Sequence, residues 1–74
     1  MNPIDIALRI ATSAHAGQLD RDGYPVILHP LTVGLMGHTD EEMMAGFLHD
    51  VVEDTSYSFE DLLHEGIPTG VVNA

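Results

Sequence analysis

Helix start and stop signals recur along this chain at intervals too short for any long element. Asn2-Pro3 pairs an N-cap with a proline at the first helical position, and Asp5 falls in the first turn. Ile4, Ile6, Ala7, Ile10, Ala11 and Ala14 then follow a roughly helical spacing, predicting a helix to about His15 or Ala16 that Gly17 stops. Pro30 suits the N1 position of a second helix, Leu31 to about Met36, ended by Gly37. Thr39-Asp40-Glu41-Glu42 is the strongest start signal, with a capping residue followed by acids where the helix dipole favours them. It opens a third helix, from about Glu41 to Val52 or Glu53, which Thr55-Ser56-Tyr57 breaks. Ser58-x-x-Asp61 is a capping-box variant that starts a fourth helix, Phe59 to about His64, closed by Gly66. Pro68 begins a fifth that stops almost at once. Between the first two helices, Asp20-Arg21-Asp22-Gly23 is turn chemistry, and Pro25 keeps Tyr24 out of the helical region. Val26-Ile27-Leu28 is the one candidate strand. The expected fold class is all-α, four or five short helices joined by tight loops.

A chain of 74 residues allows one small domain, and chains of this size commonly need a staple, a metal or a partner. With no cysteine, disulfides and thiolate metal sites are excluded. Twelve Asp and Glu stand against Arg9 and Arg21, with no lysine, which argues against a nucleic-acid surface. A polyanionic substrate would be repelled unless a bound cation reversed the field locally. No apolar run approaches membrane-spanning length and no targeting segment opens the chain, so a soluble cytoplasmic protein is expected. The apolar fraction of 45% argues against disorder, and the core must be built mostly from Leu, Ile, Val, Met and Ala.

Phe47-Leu48-His49-Asp50-Val51-Val52-Glu53-Asp54-Thr55 concentrates the chemistry. On a continuous helix, His49 and Glu53 share one ridge, Asp50 and Asp54 the next, and Met44, Phe47, Leu48 and Val51 form the apolar stripe opposite. Three carboxylates near a helix C-terminus meet the negative pole of the dipole, and Asp50 and Asp54 also repel each other at helical spacing. A divalent cation held by His49 and Asp50 is the simplest compensation. The bland alternative is a solvated acidic face. His29 and His15 are open to both readings: a histidine before proline is an ordinary turn residue, and a histidine at a helix end can cap or pack. Glu60, Asp61 and His64 could mark a second metal site, although such spacing is common on surface helices.

Three segments together carry a resemblance: Ala14-His15-Ala16-Gly17-Gln18, Gly23-x-Pro25-x-Ile27-x-His29-Pro30-Leu31, and Leu48-His49-Asp50-Val51-Val52-Glu53-Asp54-Thr55. In order and spacing they resemble the N-terminal part of the HD-domain hydrolases of the RelA/SpoT type, a group that includes the small alarmone hydrolases. The resemblance implies an all-helical bundle, with residues 1–74 as the N-terminal portion of a single HD-type domain. It implies one divalent metal, usually manganese, with His29, His49 and Asp50 as ligands and Glu53 and Asp54 as catalytic carboxylates that orient or activate water. The implied reaction is hydrolysis of the 3′-pyrophosphate of guanosine tetra- or pentaphosphate.

Three departures accompany the resemblance. Where the family carries an Arg-Lys pair whose arginine stacks on guanine, this chain has Asp20-Arg21, leaving Arg21 as the remaining basic contact for the nucleotide. Val26 stands where the family has an aromatic residue. The family's fourth metal ligand, an aspartate on a later helix with an asparagine one turn on, has no counterpart in these residues. The expectation is therefore a fragment with weak metal occupancy and no useful turnover by itself. Its exposed helix faces are expected to drive homo-oligomerisation. The competing reading is a non-catalytic regulatory or interaction module that keeps the HD-type fold.

Overall fold

The structure of the chain, a computed structural model that describes residues 2–73, begins with the cap the sequence predicts. The Asn2 side chain accepts the Ile4 N–H at 2.9 Å, and α1 runs Pro3–Ala14 with His15 at its C-cap. Gly17 follows at φ +79°, a left-handed conformation that releases the chain from the helix. The next residues form a tight loop organised by Asp20, whose carboxylate accepts the backbone N–H groups of Asp22 and Tyr24 at 2.9 and 3.0 Å. One antiparallel bridge, Leu19 to Pro25, closes it.

Val26-Ile27-Leu28 does not form a strand. The Leu28 and His29 N–H groups bond back to the Pro25 and Val26 carbonyls, each at 3.2 Å, winding the chain straight into α2, Leu28–Leu35. This helix starts three residues earlier than the proline suggests. Pro30 is its third residue, still within the first turn, where a backbone N–H has no intrahelical acceptor to lose. Next, α3 spans Asp40–Leu48, capped by Thr39, whose hydroxyl accepts the Glu42 N–H at 3.1 Å. The Glu42 carboxylate reaches back to the His38 N–H at 3.2 Å.

The third helix is not the single rod expected to Val52 or Glu53. It ends at Leu48, His49-Asp50 forms a turn, and a one-turn helix, α4, follows at Val51–Asp54. The Gly46 carbonyl, which a continuing helix would offer to the Asp50 N–H, instead accepts the His49 ring Nδ1–H at 2.6 Å. Asp50 becomes the N-cap of α4, a single turn whose last two residues are Glu53 and Asp54, and the Asp54 N–H still bonds to the Asp50 carbonyl at 2.9 Å. The last two elements are α5, Phe59–His64, opened by a reciprocal Ser58–Asp61 capping box, and α6, Thr69–Val72. No strand occurs among the described residues, and the fold class is all-α.

At the centre lies α3, which packs on α1, α2 and α6. Its stripe of Met44, Phe47 and Leu48 continues into Val51, and all four are buried as the spacing predicts. Ala7, Ile10 and Ala11 of α1, Leu62 of α5, Ile67 and Val71 complete the core. Burying each large aliphatic or aromatic side chain contributes roughly 1.5–3 kcal/mol before conformational entropy is subtracted. The α2–α3 contact differs in kind, because it is made at glycines. A Cβ added to Gly46 would lie 2.6 Å from Gly34 Cα and 2.7 Å from its nitrogen, so the backbones touch directly. With His29 beside His49, Gly34 beside Gly46 and Gly37 beside Met43, the two helices run antiparallel.

Candidate metal centre

The antiparallel pairing brings the second residue of α2 to the C-terminal end of α3. His29, His49 and Asp50 each offer a ligand atom there, all within 4.8 Å of one another. The two imidazoles meet edge to face, with centroids 5.2 Å apart and planes at 69°. The side chains of His49 and Asp50 are about a third exposed, at 34% and 30%, and His29 is exposed on the same corner, so the cluster is open to solvent.

Hydrogen bonding fixes the chemical state of His49. A carbonyl oxygen can only accept, so the 2.6 Å contact with Gly46 places a proton on Nδ1. In the neutral ring Nε2 then carries a lone pair, and it lies 3.0 Å from Asp50 Oδ2, which is also an acceptor. Two acceptors at that distance need a proton, carried by either group, or a metal ion between them. Histidine metal ligands characteristically donate their other ring N–H to a carbonyl or carboxylate, which is the arrangement at Gly46. Two imidazoles and a carboxylate make a donor set for a borderline divalent cation.

Beside the cluster, a groove of about 330 Å³ opens between α3, α4, α5 and α6. Ala45, Leu48, Val52, Phe59, Leu62, Val71 and Val72 give it an apolar lining, and His49 and Glu53 are its polar members. Glu53 therefore shares a wall with His49 despite the helix break. Asp54 is exposed on α4, with its N–H bonded to the Asp50 carbonyl at 2.9 Å, one turn beyond the candidate ligand. Arg21 is exposed at the tip of the loop between α1 and α2 and makes no ion pair among the described residues.

His15 stands apart from the cluster. It is 2% exposed, with Nδ1 3.2 Å from Gln18 Oε1, and it is a packed helix-end residue. Of the possible second site on α5, Asp61 spends its carboxylate on the Ser58 N–H at 2.8 Å. His29, His49 and Asp50 are the one ligand group gathered among the described residues. Gly46 escaped the sequence reading although it supplies both the carbonyl behind His49 and the close approach of α2. The available signal was a glycine in the interior of a helix, which is unfavourable by roughly 1 kcal/mol relative to alanine and asks for a packing reason.

No family model matches the chain. It is similar to segments of longer curated proteins. It is 42% identical over 66 residues to a GTP pyrophosphokinase of Streptomyces coelicolor, covering 84% of this chain and 8% of that protein. Against the guanosine-3′,5′-bis(diphosphate) 3′-pyrophosphohydrolase of Haemophilus influenzae it is 47% identical over 60 residues, 76% of this chain and 9% of that protein. The bifunctional (p)ppGpp synthase/hydrolase SpoT of Escherichia coli is 40% identical over 60 residues, 76% of this chain and 8% of that protein. The chain thus spans under a tenth of the length of these RelA/SpoT-type relatives, whose names cover both synthesis and hydrolysis.

Proposed function

We propose that the chain supplies the metal-binding face of a phosphohydrolase site that removes the 3′-pyrophosphate of guanosine tetra- or pentaphosphate. The observation that carries this reading is the His49 Nε2–Asp50 Oδ2 contact of 3.0 Å, with the Nδ1 proton already committed to Gly46 and His29 within ligand distance. Similarity to a 3′-pyrophosphohydrolase and to a synthase/hydrolase supports hydrolysis as the reaction class. In this reading residues 1–74 are the N-terminal portion of a single HD-type domain acting in the cytoplasm, with a further ligand coming from a later helix. Exposed apolar side chains such as Leu35, Met36 and Phe59 are the surfaces through which copies would associate.

His29, His49 and Asp50 would hold one divalent cation, and manganese is the assignment. Such a cation, when bound, polarises phosphoryl oxygens and reverses the local field of a chain with formal charge −10. The remaining roles belong to the chain itself. His49 is locked in the tautomer that presents a lone pair to the site, and Asp50 faces it. Glu53 and Asp54 are the proton acceptors for the attacking water. Its oxygen bonds to phosphorus as the bond from phosphorus to the 3′ oxygen breaks. Pyrophosphate leaves, and the 3′ oxygen takes up a proton. Arg21 is the cationic contact for the nucleotide.

The test is to incubate the protein with manganese and guanosine 3′,5′-bis(diphosphate), beside other phosphoesters, and follow pyrophosphate release. Both the 74-residue chain and a form extended through the later helix are needed, with turnover expected from the extended form. Cleavage of the other phosphoesters alone would reject the alarmone and keep the phosphohydrolase. Metal binding without any cleavage by the extended form would favour the non-catalytic module.

A further inference from the structure

We infer that Gly46 is the positioning residue of the metal site, holding His49 in its ligating tautomer and letting α2 approach closely enough to deliver His29; this rests on the metal reading above. Two independent observations converge on this one residue. Its carbonyl accepts the His49 Nδ1–H at 2.6 Å, which leaves Nε2 to face Asp50. Its missing side chain lets the α2 backbone touch α3, because a Cβ there would fall 2.6 Å from Gly34 Cα, 2.7 Å from Gly34 N and 2.9 Å from the Val33 carbonyl carbon. All three are backbone atoms, so no side-chain rotation relieves the clash and α2 as a whole must move. His29 rides on α2, one and a half turns before Gly34, while His49 lies less than a turn beyond Gly46. Displacing α2 therefore separates the two imidazoles directly. The carbonyl and the bare Cα act on the same pair of rings, one setting orientation and the other distance.

Other glycines provide the contrast. Gly37 makes the same kind of approach at the far end of the helix pair, where an added Cβ would meet Met43 N at 2.7 Å and the Glu42 carbonyl carbon at 2.9 Å. A side chain at Gly70 would meet nothing within 4 Å. A role confined to packing predicts the same consequences at Gly46 and Gly37. A positioning role predicts that they differ.

The experiment uses the 74-residue chain and two readouts, neither of them turnover. The first, without metal, is the nuclear Overhauser contact between the His29 and His49 rings. The second is cobalt(II) affinity, followed by its visible absorption. Gly46→Ala is expected to lose the ring contact and weaken cobalt binding at least about tenfold. Gly37→Ala should lower the melting temperature while keeping the contact and cobalt affinity within about twofold, the contrast expected when only one clash reaches the rings. Gly70→Ala should change neither. Should Gly46→Ala fail to fold, Gly34→Ala serves instead, because its Cβ would strike the Phe47 ring. Combining it with Phe47→Leu, which trims that ring, should restore the contact. Equal losses at Gly37 and Gly46, or a ring contact that survives Gly46→Ala, would overturn the inference. If neither the unaltered chain nor the form extended through the later helix takes up cobalt, the metal reading fails, and the ring contact alone still decides whether Gly46 sets the histidine pair.

Discussion

His15 and His49 occupy the same local position and have opposite fates. Each is the C-cap of a helix, α1 and α3 respectively, and each directs Nδ1 at an oxygen three residues away: Gln18 Oε1 for His15, the Gly46 carbonyl for His49. The Gln18 amide donates its NH₂ to the Ala14 carbonyl at 3.4 Å, so its oxygen is the atom turned to His15, and both histidines carry their proton on Nδ1. The free Nε2 is what differs. In His15 it is buried with no partner among the described residues, and in His49 it lies 3.0 Å from a carboxylate at an open corner beside a second imidazole. Position on the helix and tautomer are therefore shared by a packing histidine and a candidate ligand. What separates them is the next residue in the chain and the helix that approaches from across the fold.

Replacing both His49 and Asp50 with alanine should break that contrast most severely. Two of three candidate ligands disappear, and metal binding measured by calorimetry should weaken more than about 100-fold, beyond the range typical of supporting residues alone. Because both side chains are about a third exposed, the fold should persist by circular dichroism. Saturating metal raises the stability of a binding-competent chain by about 2.7 kcal/mol at 100 times the dissociation constant, and this increment should vanish in the double variant. Metal content unchanged by the double substitution would sink the assignment.

His15→Ala should do the reverse. The side chain is 98% buried by its 2% exposure, so truncation leaves a cavity at the end of α1. It also removes a buried acceptor without a donor, which offsets part of the loss. A net destabilisation of about 2 kcal/mol in urea unfolding is expected, with metal affinity of the folded fraction unchanged. His15→Leu, which fills the space and has no orphan atom, should lose under about 1 kcal/mol. A drop in metal affinity on either substitution would place His15 in the site and erase the distinction.

The sequence could not supply that distinction, although much else was readable from it. Asn2, Thr39 and Ser58 cap as their chemistry requires, Gly17 and Gly66 stop helices at left-handed φ, and Met44, Phe47, Leu48 and Val51 are buried on schedule. These are local effects, set within four residues. The break at His49-Asp50 was not legible, because it depends on a ring donating to a carbonyl in competition with a backbone N–H of equal reach. Nor was the early start of α2, since a proline anywhere in the first turn is tolerated. The resemblance named His29 together with His49, but spacing alone could not join residues twenty positions apart. Their meeting depends on Gly34 and Gly46, whose meaning appears only when the two helices are placed side by side.

A third histidine offers the finest test of the comparison. His64 is the last residue of α5, again at a helix C-terminus, but it is exposed, its side chain makes no hydrogen bond among the described residues and it has no ligand partner nearby. If surroundings rather than helix position decide what a terminal histidine does, His64 should be idle. His64→Ala should shift unfolding free energy by less than about 0.5 kcal/mol, the ordinary range for a surface substitution. Metal affinity should stay the same within error. Alanine at a helix C-terminus is an excellent helix former, so the change could even stabilise α5 slightly. A loss approaching that of His15→Ala would mean that the C-terminal position itself carries the energy. The contrast between His15 and His49 would then reflect their helices rather than the groups around them.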